Sequence, residues 1–389
     1  MKILMINSVC GIRSTGRICT DIAQALETEG HTVKIAYGRF EAPDKYENEA
    51  VKITKDSEVL WHIGISLIFD NAGFMQRKTT EKFIDWIRTY DPDIIHLHNI
   101  HGYYLNVEVL FKYLKTCGKR IVWTLHDCWA FTGHCAYFDF VQCEKWKTEC
   151  GDCALKTSYP YSFVFDNSKQ NFHLKQSLFT NIPNMTLVTP SQWLADLVSQ
   201  SVLKEYPVVT IHNEIDTNVF KPIESTIKSK YAIPEDKKLV LGVASIWEKR
   251  KGFDDFIKLA DEVDEKTVIV LVGLSKKQMH SLKTNMIGIE HTADATELAK
   301  LYSVADVFLN LTYEDNYPTT NLESIACGTP VVTYDTGGSP ESAKYYGMVV
   351  DKGNIKKVAD IVNNKEYMQL KKFPLQHEFI KKYMELYFG

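Results

Sequence analysis

The stretch YEDNYPTTNLESIACGTPVV, residues 313–332, sets Asp315 and Glu323 eight positions apart, with Pro318, Thr319, Thr320 and Asn321 between them. An apolar strand precedes the stretch, and Thr319, Thr320 and Asn321 suit the first turn of a helix. First-turn N–H groups have no partner within their own helix, and with the helix dipole they accept phosphate oxygens. Glu323, in the next turn, can accept hydrogen bonds from vicinal hydroxyls such as those of a ribose. Asp315, ahead of the turn, faces whatever lies beyond the phosphates. On their own, two acids near a helix start do no more than favour its dipole. A second element adds the missing charge. In SIWEKRKGF, residues 245–253, Arg250 and Lys251 lie between a predicted strand and a predicted helix. Adjacent cations there can neutralise a diphosphate, both bound and leaving, although most Lys/Arg clusters are simply solvated. A third loop, NSVCGIRSTGR at 7–17, carries Gly11 and Gly16, which permit close backbone approach to a ligand. It is neither a G-x-G-x-x-G fingerprint nor a Walker loop.

The elements that must hold these residues alternate. KILMIN, TVKIAY, DIIHLHN, RIVWTLHD, MTLVTPS and VVTIHN read as strands in the first half; KLVLGVAS, TVIVLVG, MIGIEHT, ADVFLNLT and TPVVTYD follow in the second. Amphipathic stretches lie between them, such as 14–30, with Ile18, Ile22, Ala25 and Leu26 at helical spacing and Gly30 as the cap. Apolar strands alternating with helices imply parallel sheets covered on both faces. Two such runs in 389 residues predict an α/β protein of two doubly wound, Rossmann-like domains facing across a cleft. The expected boundaries are 1–212 for the first domain, joined by the amphipathic closing helix 375–389, and 213–374 for the second. Residues 131–170 break the rhythm and read as an irregular, cysteine-rich insertion. In open α/β sheets ligands bind beyond the carboxyl ends of the strands, which is where the candidate residues fall.

A formal net charge of −4 argues against a general polyanion binder, so no nucleic acid is expected. The opening MKILMINS is too short an apolar run for a signal peptide, and no run approaches the roughly 18 residues of a membrane helix. A cytoplasmic protein is expected, its nine cysteines thiols or metal ligands rather than disulfides. Cys135, Cys143, Cys150 and Cys153 end in a C-x2-C pair and predict a structural zinc site, with buried thiols and a redox pair as the other readings. His96, His98 and His101 mimic a metal cluster, but His96 and His98 follow a strand's alternation and read as core histidines. The segment 74–88 mixes Lys/Arg with Phe83 and Trp86; it reads as a core helix first and a contact with anionic lipid second.

EDNYPTTNLESIACGTPVV resembles the E-x7-E region of retaining, GT-B-fold glycosyltransferases of family 4. KRKG, NSVCGIRSTGRI, TLHD, NEIDTNVFKP and TGGSPE fall in that family's order, over nearly the whole chain. The branch it resembles most is that of bacterial polysaccharide and capsule biosynthesis. The first acid falls on Asp315 instead of Glu, with Glu314 beside it able to substitute, and the family's NGID reads Asn213-Glu214-Ile215-Asp216. The resemblance implies that the second domain holds a UDP- or GDP-sugar. Glu323 would then bind the ribose, and Arg250 and Lys251 the diphosphate, with amides near Thr320, Asn321 and Leu322. Asp315 would contact the donor sugar and His126 of TLHD its reacting face, and Gly16 would lie near the phosphates. The first domain would hold a glycan or lipid-linked acceptor, with peripheral contact at the inner face of the cytoplasmic membrane. No D-x-D motif stands where Mg²⁺ would otherwise act, so metal-independent, retaining hexosyl transfer by front-face attack is expected. A sugar-nucleotide epimerase or hydrolase, a non-catalytic nucleotide-sugar module and, more weakly, a dinucleotide oxidoreductase are the competing classes.

Overall fold

The computed structural model describes residues 1–375 and 377–389. Its chain forms two compact units, Met1–His212 with Glu378–Gly389, and Asn213–His377. Within the segment 375–389, Gln376 lies outside the described residues.

The first unit is built on a seven-stranded sheet. Its strands are β1 (Lys2–Asn7), β2 (Thr32–Tyr37), β3 (Ala50–Lys52), β4 (Ile94–Leu97), β5 (Arg120–Thr124), β6 (Met185–Thr189) and β7 (Val208–Thr210). All neighbours are parallel, in the order β3-β2-β1-β4-β5-β6-β7. Strands buried on both faces are predominantly apolar, as β1 and β4 are: Ile3 to Ile6 and all four residues of β4, His96 among them, are sealed from solvent. The helix Arg13–Thr28 turns Ile18, Ile22, Ala23 and Leu26 onto one face and stops at Gly30, whose φ of +81° ends it cheaply. The closing helix Phe379–Phe388 packs Phe379, Tyr383 and Tyr387 among Ile3, Met5, Ile18 and Val122. The Tyr383 hydroxyl shares a 2.9 Å hydrogen bond with Thr124, and the Tyr387 hydroxyl meets Nδ1 of His96 at 2.5 Å.

The insertion corrects one expectation. Residues 131–167 hold only short 3-10 turns, as their composition suggests. The zinc site expected of Cys135, Cys143, Cys150 and Cys153 is not formed: among the described residues, no group of three or more His, Cys, Asp or Glu side chains is disposed to hold a metal ion. Cys135 shares a thiol hydrogen bond with Cys153, and Cys150 Sγ accepts from the Gly133 N–H at 3.2 Å. The insertion is held by the first unit's own core, which the expectation of a metal staple did not allow for. Trp129, Phe131, Phe138 and Trp146 are buried in the same cluster as Phe111 and Trp123. The buried Lys175 donates to the Trp129 and Thr132 carbonyls at 2.8 and 3.0 Å, 3.5 Å above the Trp129 ring.

The second unit holds six parallel strands, β8 (Lys238–Val243), β9 (Thr267–Val272), β10 (Met286–Ile289), β11 (Val307–Asn310), β12 (Val331–Tyr334) and β13 (Gly347–Val350), in the order β10-β9-β8-β11-β12-β13. Both sheets change direction of winding at their centre, between β1 and β4 in the first and between β8 and β11 in the second. Such switch points open crevices at the strands' carboxyl ends.

Tyr387 combines a buried ring with a hydrogen bond. Tyr387→Ala is expected to cut the unfolding free energy by about 3–5 kcal/mol, read by urea unfolding. A loss below about 1 kcal/mol would show that the closing helix is not part of this core.

Candidate functional site

In the second unit the candidate residues meet at the β8/β11 switch point. After β8 the chain makes a 3-10 turn, Lys249–Lys251, and enters the helix Phe253–Glu262 through Gly252. After β11 it runs through 311–318 into the helix Thr319–Ala326. The loops are tied backbone to backbone: the Tyr313 N–H donates to the Arg250 carbonyl at 2.7 Å. Gly252 sits at φ +78°, and a Cβ there would lie 2.0 Å from the Leu311 carbonyl oxygen. Only glycine allows that approach.

This clasp brings Arg250, Lys251 and Asp315 together. Lys251 Nζ donates to Asp315 Oδ2 at 2.5 Å, with both side chains about four-fifths buried (23 % and 19 % exposed). Arg250 Nε donates to Glu248 Oε2 at 3.0 Å. Glu314, the alternative first acid, is buried, and its carbonyl accepts from Thr312 Oγ1 at 2.9 Å. The helix Thr319–Ala326 starts at Pro318 with no side-chain cap; the Asn321 N–H donates to the Pro318 carbonyl at 3.2 Å, and the Thr319 and Thr320 N–H groups ahead of it lie in the uncapped first turn. Thr319 and Thr320 are partly exposed. Asn321 and Leu322 are buried, and Asn321 bridges Asn310 and Ser342 at 2.9 Å each. Its side chain therefore fixes the helix start to β11 and is not free for a ligand. Glu323 is buried one turn on, and the Tyr302 hydroxyl donates to its Oε2 at 3.2 Å.

Tyr302 and Glu248 were not foreseen. Tyr302 comes from the helix Ala295–Val304, with no motif to connect it to Glu323. Asp255 was missed too: it is buried and accepts from Tyr313 and Tyr334 at 2.6 and 2.9 Å, anchoring the start of the acid-bearing loop. An aspartate inside an amphipathic helix gives no signal of its own.

In the first unit, Gly16 and His126 belong to loops and elements at the carboxyl ends of β1 and β5. A Cβ on Gly16 would press on Val9 Cγ2 at 3.0 Å and the Gly11 nitrogen at 3.1 Å, so the glycine serves the fold of its own loop. His126 shares a 3.0 Å hydrogen bond between its Nε2 and Nδ1 of His98. His96 is bonded to Thr124 and Tyr387. His96, His98 and His101 are core histidines, His101 bonding Asp127 at 2.8 Å and the Tyr159 hydroxyl at 3.1 Å, whereas His126 is half-buried. Burial pushes His96 down to about 3 and His126 to about 4, and holds His98 well below its usual value. All three imidazoles are neutral at neutral pH.

Two doubly wound parallel sheets, each with candidate residues at its switch point, place the protein among GT-B glycosyltransferases. The structure is similar to sucrose-phosphate synthase from Thermosynechococcus elongatus, with a TM-score of 0.70 at 15 % identity over 99 % of this chain and 98 % of that one. It is also similar to Anabaena Alr3699/HepE in complex with UDP, at 0.63 and 14 %, over 95 % and 91 %. In sequence, residues 15–219 match the family described as Glycosyltransferase Family 4, and 224–382 match glycosyl transferases group 1. The chain belongs to glycosyltransferase family 4. Among curated relatives, Escherichia coli (strain K12) WcaC, named as a colanic acid biosynthesis glycosyl transferase, is 24 % identical over 88 % of this chain and 85 % of its own.

His96 and His126 protonate near 6.5 in the unfolded chain but only at about 3 and about 4 in the folded one, and His98 is shifted in the same direction. The unfolded state therefore binds more protons as pH falls below about 6.5. Their stabilisation is complete above that pH and is lost on acidification, at about 1.4 kcal/mol per pH unit for each histidine. The urea midpoint of the first unit should fall steadily between about pH 6.5 and about pH 4.5. A midpoint that holds constant there would contradict buried, neutral imidazoles.

Proposed function

We propose that the protein is a retaining, metal-independent hexosyltransferase that moves a sugar from a UDP- or GDP-sugar to a glycan or lipid-linked acceptor in surface polysaccharide biosynthesis. In this reading 1–212 is the acceptor domain and 213–374 the donor domain. The protein works peripherally at the cytoplasmic face of the membrane. The observation that carries the reading is the convergence of Lys251, Asp315 and an uncapped helix bearing Glu323 at one switch point. Support comes from the UDP and UDP-glucose complexes of the similar HepE structures and from the polysaccharide named for WcaC.

Each residue then has a task set by its chemistry. Arg250 and Lys251 take the diphosphate, with the amides at Thr320, Asn321 and Leu322 on its remaining oxygens. Glu323, held by Tyr302, accepts from the ribose hydroxyls. Breaking the anomeric C–O bond leaves positive charge on the sugar and negative charge on the departing diphosphate, and fixed cations beside the latter lower that barrier. Asp315 contacts the sugar, and neutral His126 reaches its other face without adding charge. The acceptor hydroxyl attacks from the leaving-group side, and its proton passes to the departing phosphate oxygen, so configuration at the anomeric carbon is kept. Gly16 lets the β1 loop approach the phosphates.

A panel of nucleotide sugars tests this by thermal shift, because a ligand of the native state raises its melting temperature. One UDP- or GDP-sugar is expected to raise it, and a panel without effect would refute a nucleotide-sugar site. Glu323→Ala is expected to weaken nucleotide affinity by about 10- to 100-fold. Lys251→Ala is expected to lower kcat by about 100-fold or more, assayed well below a melting temperature that itself falls because Asp315 loses its partner. Transfer should persist in EDTA, and acceptor-independent release of nucleotide would move the assignment to a hydrolase.

A further inference from the structure

Single exposed apolar side chains need no explanation, but contiguous ones do. The first unit carries such a group. The helix Asp56–Phe69 has no charged residue from Val59 to Phe69. Its outward stripe exposes Leu60 at 68 %, Trp61 at 57 % and Ile68 at 41 %, with Phe69 at its end. Gly64, central on that stripe, has no atom within 4 Å of where a Cβ would stand, so nothing covers the helix there.

The cysteine-rich insertion extends this face. Its last segment, 161–165, is strapped to the end of the helix, with Phe163 N–H donating to the Leu67 carbonyl at 2.7 Å and Phe165 N–H to that of Ile68 at 2.9 Å. Phe165 stacks on Phe69 at 5.5 Å, and Phe163 is 60 % exposed. The strap also leads inward. Phe163 stacks on Tyr161, Tyr161 meets Tyr159 edge-on, and the Tyr159 hydroxyl reaches His101 beyond the end of β4.

We propose that this face seats the first unit in the headgroup–acyl boundary of a bilayer containing anionic lipid. The proposal rests on the reading of a lipid-linked acceptor and names the surface that would meet it. It is not the segment 74–88, whose helix Arg77–Tyr90 buries Phe83, Ile84 and Ile87 in the core. Exposed Trp61 and Phe163 beside an apolar helix stripe present the ring side chains that are enriched where an apolar surface meets water at a membrane. Charge at the rim selects the partner. Lys78, which shares a groove with Trp61, and Lys156, which donates to the Val164 carbonyl, carry no ion pair among the described residues. Of the nearby acids, Asp56 is paired with Lys52, while Glu58, in the same groove as Lys78, accepts from Thr54, Thr79 and the Lys55 amide and keeps its charge. Lys78 and Lys156 are the rim cations without an ion pair among the described residues that anionic headgroups would meet.

The test is flotation of the full chain with phosphatidylcholine vesicles, with and without phosphatidylglycerol, in the absence of any acceptor or donor. Binding is expected with phosphatidylglycerol and should weaken in high salt. The double substitution Trp61→Ser with Phe163→Ser should reduce partitioning by about tenfold or more. Lys78→Glu, on an exposed chain, with Lys156→Glu should reduce it, and Lys78→Glu alone should reduce it in part while leaving the melting temperature in place. Equal partitioning of the variants and the parent would overturn the proposal. So would absence of vesicle binding together with a concentration-dependent dimer that the double substitution abolishes, which would give the face to a second copy. Because bare vesicles are used, failure here leaves the nucleotide thermal shift unaffected, and failure of that shift leaves this result standing.

Discussion

Three glycine-dependent and backbone contacts fix the second unit's site before any functional side chain contributes. The Tyr313 amide bonds to the Arg250 carbonyl, and Gly252 lies so close to the Leu311 carbonyl that no Cβ fits. On the far side, a Cβ on Gly337, at φ +54°, would stand 1.7 Å from the Asp315 carbonyl oxygen. The loops after β8, β11 and β12 thus touch through main chain. Main-chain contacts leave little freedom of register, so the cation-bearing turn and the acid-bearing loop are held near hydrogen-bonding distance by the fold. Charges placed this way need not reorganise when a diphosphate departs, which is the condition under which they lower a barrier most.

The first unit reaches rigidity differently, through buried polar side chains. Thr124, His96, Tyr383 and Tyr387 form one hydrogen-bonded group, His98 and His126 another, and the Trp123 indole N–H bonds to the His98 carbonyl at 3.2 Å. Buried hydrogen bonds of this kind favour a single packing, although His98 Nε2 has no partner among the described residues. Burial keeps the imidazoles neutral. On the proposed mechanism that matters, because the sugar carries positive charge as the glycosidic bond breaks. An imidazolium at His126 would repel that charge at short range, whereas a neutral ring can bond to a sugar hydroxyl without opposing the reaction.

Much of this was legible in the sequence, for a physical reason. Parallel strands are buried on both faces, so each of β1, β2, β4–β12 appears as an apolar run, and the rule that ligands gather at strand carboxyl ends pointed to Arg250, Lys251 and Asp315 together. The exceptions are equally physical. β3 is three partly exposed residues at a sheet edge, and β13, though apolar in composition, is four residues long with Val349 exposed. The helix Asp56–Phe69 is apolar on nearly every side, so it has no 3.6-residue period to read. The cysteines misled because spacing reports which thiols could meet, not whether Trp129, Phe131 and Trp146 already supply a core. Tyr302 was invisible because its partnership with Glu323 exists only once two helices have packed.

The contact between Lys251 and Asp315 gives the proposed mechanism a thermodynamic constraint. Both side chains are about four-fifths buried, and breaking such a pair by removing one partner leaves an uncompensated charge. A nucleotide sugar avoids that cost by supplying both replacements at once. Its diphosphate takes over the lysine, and its sugar hydroxyls donate to the released carboxylate. A nucleoside diphosphate without the sugar satisfies only the first, and free sugar only the second. On the proposed mechanism the pair would therefore favour the intact donor over its hydrolysed parts beyond what the separate contacts would add. The same coupling lets the carboxylate return to the lysine as the diphosphate leaves, restoring the unliganded site without a stage in which either charge is buried alone.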